Sequence, residues 1–319
     1  MHELDARVPI DIPPDQGPAG PDWRSMPAFA ILILTISVAA VIERKLNQQL
    51  PPFWLAGTRF ALAGLLSTGL VAIQRLSLPR GRALLVAVIF GLIQFGLGYA
   101  LLYWGLQKLP ASLSSMILAS VPLFTLLAAV VAGQEKLRIR GLIGALIALG
   151  GIAVLIGGQT GGEIPLLNML AVVGTAICFS AGSVLLKSAP PAPSASMSAV
   201  SMLVGAPLLL AMSVISGETA RGLQALLPAD PALWLGQAYL VLAASIGVYF
   251  LMLYLLRRWP ASSVSYQSVL IPAVTTLLSM WLLDEPITGN LFASGALILA
   301  GVYIGALAGG RRTQDPESA

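Results

Sequence analysis

The stretch GYALLYWGLQKLPASLSSMILASVPLFTLLAAVVAGQEKL at residues 98–137 is written a second time, with substitutions, as GVYFLMLYLLRRWPASSVSYQSVLIPAVTTLLSMWLLDEPI at residues 247–287. The copies keep register at an offset of 150: Tyr99 with Tyr249, Pro110 with Pro260, Ser115 with Ser265, Pro122 with Pro272, Thr125 with Thr275 and Glu135 with Glu285. A duplicated apolar half is the pattern of many secondary transporters, whose two repeats rock against each other around a central site.

Around these copies the chain is apolar almost throughout. Hydrophobic residues make up 57% of it and charged residues 10%, with a mean hydropathy of +0.85, whereas a soluble domain carries roughly 25% charged residues. Lipid offers nothing to an unpaired backbone group, so spanning segments are helices or a closed barrel. The apolar runs are about 20 residues long, twice what a spanning strand needs. The expected fold is an all-α integral membrane protein.

Hydropathy and breakers place helices over 27–46, 53–74, 83–107, 111–132 and 141–158, then over 166–187, 195–216, 232–257, 261–283 and 289–308. Lys and Arg orient them. With both termini cytoplasmic, the inner side holds Arg7, Arg24, Arg75, Arg80, Arg82, Lys136, Arg138, Arg140, Lys187, Arg257, Arg258, Arg311 and Arg312, and the outer side only Arg44, Lys45, Lys108 and Arg221. Five helices per repeat is an odd number, so the second copy enters the membrane inverted. The expectation is ten transmembrane helices as two inverted five-helix repeats, 27–158 and 166–308, between a disordered cytoplasmic N-terminal tail, 1–26, and a cytoplasmic C-terminal tail, 309–319.

Composition also limits the chemistry. One cysteine, Cys178, cannot form a disulfide within the chain or a thiolate metal site, and the one histidine, His2, lies in the polar N-terminal tail. No cofactor and no metal are expected. The net charge of +4 is spread in ones to threes between apolar segments, which reads as topology and argues against nucleic acid. The Gly-rich run GALIALGGIAVLIGG follows no strand and precedes no Lys-Ser/Thr pair, so it reads as close helix packing.

The runs GTRFALAGLL, SSMILASVPLFTLLAAVVAGQEKL with GALIALGGIAVLIGG, and WPASSVSYQSVLIPAVTTLLSMWLLDEPI with GALILAGVYIGAL resemble the EamA-type transporters of the drug/metabolite transporter superfamily. The resemblance runs from Ala28 to Ala308 and implies a ten-helix inverted repeat in the bacterial inner membrane, exporting amino acids, other metabolites or drugs. Many relatives carry a Trp-Gly-Ser/Thr stretch in the first helix, where this chain has Ile36, Ser37 and Val38.

Polar side chains at membrane depth are the candidate machinery. Glu43 and Arg59 lie eight residues either side of Pro51, the centre of the first hairpin, and hence at similar depth. Either they pair or Arg59 anchors a substrate carboxylate or phosphate; the alternative is that both reach up to the headgroups. Gln94, Tyr99, Tyr103 and Tyr249 can line an aromatic cavity with hydrogen-bonding tips, which suits apolar or cationic organic molecules, while Tyr103 also fits an interfacial belt. Ser115, Tyr266 and Gln267 belong to the polar fourth and ninth helices, where Pro122 and Pro272 each free a carbonyl and favour a kink. No other carboxylate falls inside a span, which favours facilitated export, or coupling by a group near the surface, over a buried proton relay. The expected partners are a small-molecule substrate and the lipid bilayer, with protons allowed, in a monomer or homodimer. The competing classes are a membrane-embedded enzyme, which would need a nucleophile, acid-base pair or metal ligands at one depth, and a non-transporting scaffold.

Overall fold

The computed structural model describes residues 23–134, 139–157, 165–224, 230–256, 258–259, 264, 267–285 and 288–304. Among them there are helices and no strands. In chain order these are α1 (Met26–Asn47), α2 (Pro52–Ile73), α3 (Arg82–Leu106), α4 (Ala111–Val131), α5 (Ile139–Gly157), α6 (Leu166–Lys187), α7 (Ser194–Ile215), the short α8 (Glu218–Gln224), α9 (Pro231–Val241 continuing to Val248–Leu256), α10 (Gln267–Leu283) and α11 (Gly289–Val302). Seven of them, α1 to α4, α6, α7 and α9, are each long and apolar enough to cross a membrane. Shorter apolar helices fill the remainder at Ile139–Leu155, Gln267–Leu283 and Gly289–Val302. The chain is thus a multi-pass membrane protein, and α8 is a helical turn where the sequence reads only a loop.

The helices are held by apolar packing, close backbone approach and isolated polar bonds. In lipid there is little hydrophobic drive between helices, so small residues that let backbones meet matter most. At Gly301 of α11 a Cβ would sit 2.5 Å from the Gly144 carbonyl oxygen of α5, and at Gly205 of α7 one would sit 2.5 Å from Phe95 Cβ of α3. Polar bonds join other pairs. Ser37 of α1 donates to the Ile271 carbonyl of α10 (3.3 Å), and Ser180 of α6 donates to the Val121 carbonyl of α4 (3.1 Å). α2 lies along α7 over a long interface, as α5 does along α11. Large apolar side chains such as Leu65, Leu146 and Trp281 point outward, where lipid is their natural solvent.

Two helices contain wider turns. α3 is π-helical over Gly91–Gly98 and α9 over Leu242–Gly247. These stretches lie at matching places in the two sequence copies, and π turns recur at functional sites. α4 is interrupted at Ala119–Ser120, between Ala111–Leu118 and Val121–Val131, so Pro122 occupies the first turn of a new segment. Its counterpart Pro272 lies inside α10 without a break. Both prolines remove a helical N–H, but only at Ser120 does a hydroxyl also bond the carbonyl three residues back, on Ile117, in competition with the helix ladder. Leu270 holds the equivalent place in α10.

One end of the molecule carries the α1–α2 and α3–α4 hairpins, α8 and the Asp284–Glu285 segment. Two carboxylates tie it together. Glu285 accepts from the Ala111 N–H (2.8 Å), the Ser112 N–H (3.2 Å) and the Ser112 hydroxyl (2.8 Å) at the start of α4. Glu218 accepts from the N–H groups of Phe53 (3.0 Å) and Trp54 (3.3 Å) at the start of α2. Both satisfy donors that the first turn of a helix leaves without partners. We call this the capped end.

Candidate functional site

The α1–α2 hairpin is short, Gln48 to Pro51, and Pro51 is fixed in an extended conformation before Pro52 opens α2. This brings Glu43 of α1 level with Arg59 of α2, and both are buried, at 7% and 2% exposure. Their side chains form an ion pair through Arg59 Nη1 and Glu43 Oε1. The same Nη1 donates to the Tyr103 hydroxyl of α3 at 2.9 Å, and Nε donates to Ser245 Oγ of α9 at 3.2 Å. Ser245 stands in the π-helical stretch of α9, and its hydroxyl donates a hydrogen bond to the Leu240 carbonyl, five residues back, at 2.9 Å. The guanidinium also lies 5.6 Å from the ring centre of Tyr99 and 5.0 Å from that of Phe60, within the range of cation–π attraction. One cation therefore draws together α1, α2 and α3 from the first half of the sequence and α9 from the second.

Such a pair is costly to desolvate, and its mutual attraction compensates only when the remaining donors are satisfied. Tyr103 and Ser245 supply acceptors here. Two further bonds fasten α1 to α3 between this cluster and the capped end: Asn47 Nδ2 to the Tyr103 carbonyl, and Arg44 Nη1 to the Leu106 carbonyl. Asn168 of α6 adds a third to α3, reaching the Trp104 carbonyl at 3.0 Å.

The residues singled out from sequence separate into groups. Glu43, Arg59, Tyr99 and Tyr103 come together. Tyr99 joins an aromatic cluster with Phe60, Phe95 and Phe179, at centroid distances of 4.4, 6.0 and 5.2 Å. Gln94 lies in the π-helical stretch of α3, its buried Oε1 without a hydrogen-bond partner and close to where a Cβ on Gly182 would be. Tyr249, the counterpart of Tyr99, stands apart from that aromatic cluster. It lines a narrow slot with Ser67, Gln74, Ser198 and Ser245, holding about 20 Å³ of free space, roughly one water. That slot leads from Arg59's partner toward the end opposite the caps. Ser115 turns its hydroxyl back on the Ser112 carbonyl at 2.8 Å, and Gln267 approaches Met252 at the start of α10. Tyr266 lies outside the described residues.

A wider apolar cavity of about 280 Å³ opens between α2, α7 and α9, walled by Trp54, Leu210, Trp234 and Gln237. None of the residues named from sequence lines it. Ser245 and the two capping carboxylates carry structural roles that sequence reasoning missed. Glu285 had been visible as half of a repeated Glu, and Ser245 gave no signal beyond its place four residues before Tyr249.

Glu218, outside the spans, has a shifted affinity for its proton. Burial pushes it above the usual glutamate range, against the opposing pull of the Trp54 and Phe53 N–H groups.

Apolar helices long enough to span lipid, with an ion pair buried among them and a slot beside it, fit a membrane transporter, and comparison with known proteins agrees. The model of the EamA-like transporter family matches twice, over residues 24–157 and 166–306. The chain belongs to this family and is a membrane transporter. It is 28% identical over 283 residues to a probable amino-acid metabolite efflux pump of Escherichia coli (strain K12), covering 86% of this chain and 93% of that one. It is 30% identical over 280 residues to the inner membrane transporter YedA of the same strain, covering 86% and 88%, and 27% identical over 289 residues to the transporter YvbV of Bacillus subtilis (strain 168), covering 89% and 92%. A solved crystal structure shares the fold at a TM-score of 0.60 and 19% identity, over 89% of this chain and 97% of that chain.

Proposed function

We propose that the protein exports small organic molecules, metabolites such as amino acids or drugs, across the bacterial inner membrane by alternating access, and that the Arg59 cluster is its substrate-responsive centre. The observation that carries this reading is the burial of Arg59 within the apolar span α2, eight residues past Pro51, bonded to groups of both halves beside a slot that reaches Ser245. An intramembrane ion pair is a functional-site hypothesis by default, and this one stands where movement of one half against the other would have to break its bonds. The substrate's acidic group competes with Glu43 for the guanidinium fork, and the aromatic faces of Tyr99 and Phe60 receive its apolar part. Tyr249 guards the approach through the slot, with Gln94, Ser115, Tyr266 and Gln267 as further contacts along the pathway. Pro122 and Pro272 let α4 and α10 flex.

The ten helices form two inverted repeats in this reading. The packing supports it: α1 on α10 is matched by α6 on α4, and α3 on α7 by α9 on α2, as an exchange of equivalent helices between halves requires. The capped end faces outward and both termini face the cytoplasm. The charges support this, since Arg24, Arg75, Arg80, Arg82, Arg140, Lys187 and Arg258 fall toward the opposite end, against Arg44, Lys45, Lys108 and Arg221 near the caps. A single chain suffices for the pathway and no cofactor is needed. The name of the E. coli efflux pump favours amino-acid-like cargo.

The test is metabolite profiling of medium from cells producing the wild type, Arg59→Lys and Arg59→Ala at equal membrane levels. Compounds accumulating only with the wild type identify the cargo and assign Arg59. Equal export by all three removes Arg59 from the mechanism. Epitope tags at the two termini must be found on the cytoplasmic side.

A further inference from the structure

We propose that Glu285 and Glu218 are the two latches of a gate at the capped end, each closing it by clasping the N-terminus of a helix from the other half of the sequence. This rests on the alternating-access reading above and adds the device that holds one side shut.

The geometry is specific. Glu285 follows α10, and the chain reaches it through Asp284 at φ +53°, a left-handed turn that a non-glycine residue rarely adopts. The Glu285 N–H donates back to the Ser279 carbonyl at 3.3 Å, so the end of α10 is wrapped closed and the side chain is aimed away from its own helix. Its two oxygens then take three donors at the head of α4: Ala111 N–H, Ser112 N–H and Ser112 hydroxyl. Glu218 opens α8 and repeats the arrangement on α2, with Gly222 pressed against the Trp54 indole so closely that a Cβ there would lie 2.5 Å from Trp54 Cδ2. In both cases the acceptor belongs to the second half of the chain and the donor helix to the first.

A carboxylate accepting backbone N–H groups at a helix start gains from charge assistance and from the helix dipole. Neither clasp is needed to build a helix, because α2 and α4 could be capped by their own residues or by water. What these two clasps do is join the halves. If the halves rock apart at this end, both must let go, and the freed N–H groups and carboxylates meet water. Toward the opposite end, the bonds between halves among the described residues include the neutral ones from Trp259 Nε1 to Ser25 Oγ at 2.6 Å and from Gln134 Nε2 to the Val184 carbonyl at 3.1 Å.

The experiment reads gate position without needing a substrate. In a Cys178→Ser background the full-length protein is placed in nanodiscs, which leave both faces open to reagent. A single cysteine is installed either at Leu113, 3% exposed just behind the Glu285 clasp, or at Ser67, which lines the slot on the opposite side. Reaction rates with a soluble maleimide are compared with and without Glu285→Gln, and with Glu285→Gln plus Glu218→Gln. Loss of a charge-assisted bond corresponds to about a tenfold shift in a two-state population. The expected result is a rise of about that size at Leu113→Cys with a fall at Ser67→Cys, enlarged in the double variant. The milder Ser112→Ala, which removes only the hydroxyl donor, should give a smaller change of the same sign. Unchanged labelling at Leu113→Cys overturns the proposal, and so does a rise at both positions, which would mean a loosened fold and no gate. If instead transport proves independent of Arg59 while labelling stays reciprocal, the central site is wrong and the gate stands.

Discussion

Among the described residues outside the Arg59 cluster, the charge-assisted ties between helices named above gather at one end of the molecule and neutral ones are found at both. At the capped end three ties between helices end on charged groups, Glu285 on α4, Glu218 on α2 and Arg44 on the Leu106 carbonyl, beside neutral ones such as Asn168 to the Trp104 carbonyl. Toward the other end, among the described residues, Trp259 to Ser25 and Gln134 to Val184 are neutral single bonds, and a slot runs inward past Tyr249. Hydrogen bonds with an ionised partner are roughly twice as strong as neutral ones. The charge-assisted ties named here thus belong to the capped end, and the Arg59 cluster lies between the two sets of bonds.

The largest effect should come from breaking the centre. Arg59→Ala leaves Glu43 buried without a counter-charge, and removing one member of a buried pair costs about 3–5 kcal/mol, so we expect a sharp fall in thermal stability in detergent and loss of export. The double variant Arg59→Met with Glu43→Leu tests whether the pair serves stability or transport, because an apolar replacement of a buried pair is often neutral or stabilising. Recovered melting temperature without recovered export is the expected outcome. Recovered export would mean that the charges have no role in carrying substrate.

A smaller effect is expected from the Gly301 contact, where α11 meets α5. Gly301→Val must push apart two backbones that touch at Gly144 and Ala148, and overpacking of this kind costs typically about 1–3 kcal/mol. Measured in the same assay, it should lower the melting temperature by less than Arg59→Ala. It should also leave the relative reactivity of the two ends unchanged, since the contact lies on neither gate. Ser245→Ala should cost about 1 kcal/mol, the net worth of an ordinary hydrogen bond, with export weakened more than stability because the lost bond links the two halves at Arg59.

Much of this architecture is legible in the residues. Apolar runs bounded by LPP, QKLP and KSAPPAP announce helices because lipid leaves the backbone no alternative. The common depth of Glu43 and Arg59 follows from equal distances to a tight hairpin, which is local geometry, whereas their pairing was one of several outcomes that this depth allows. Ser245 was not legible, since its contact depends on a π-helical turn in α9 that shifts which face the serine presents, and α9 lies 186 positions from Arg59. The repeat also misleads in places. Tyr99 and Tyr249 match in sequence, yet one lies in an aromatic cluster and the other lines a slot, because the two halves meet different neighbours at that depth. Pro122 and Pro272 match as well, yet α4 is interrupted just before the first while α10 runs through the second. Glu285 was read as a loop residue, for a cap depends on which helix start lies opposite, and no spacing rule encodes that.

The least effect and the finest discrimination should come from acid titration of Glu218. Burial raises its proton affinity above the ordinary glutamate value, so the folded protein binds this proton at a pH where the unfolded chain has already released it. In that window stability falls as pH rises, and lowering the pH through it favours the folded state. A wild-type melting curve followed from neutral pH down toward the ordinary carboxylate range should therefore show a small upward contribution from this group, absent in Glu218→Gln. Protonation removes the charge that strengthens the clasp on Phe53 and Trp54, so at the same pH Leu113→Cys should label faster in the wild type, and the difference should shrink in Glu218→Gln. Stability and gate closure would then move in opposite directions with acid. A cap that served only to hold α2 in place would move them together, and that result would return Glu218 to an ordinary structural role while leaving Glu285 to be judged by its own variant.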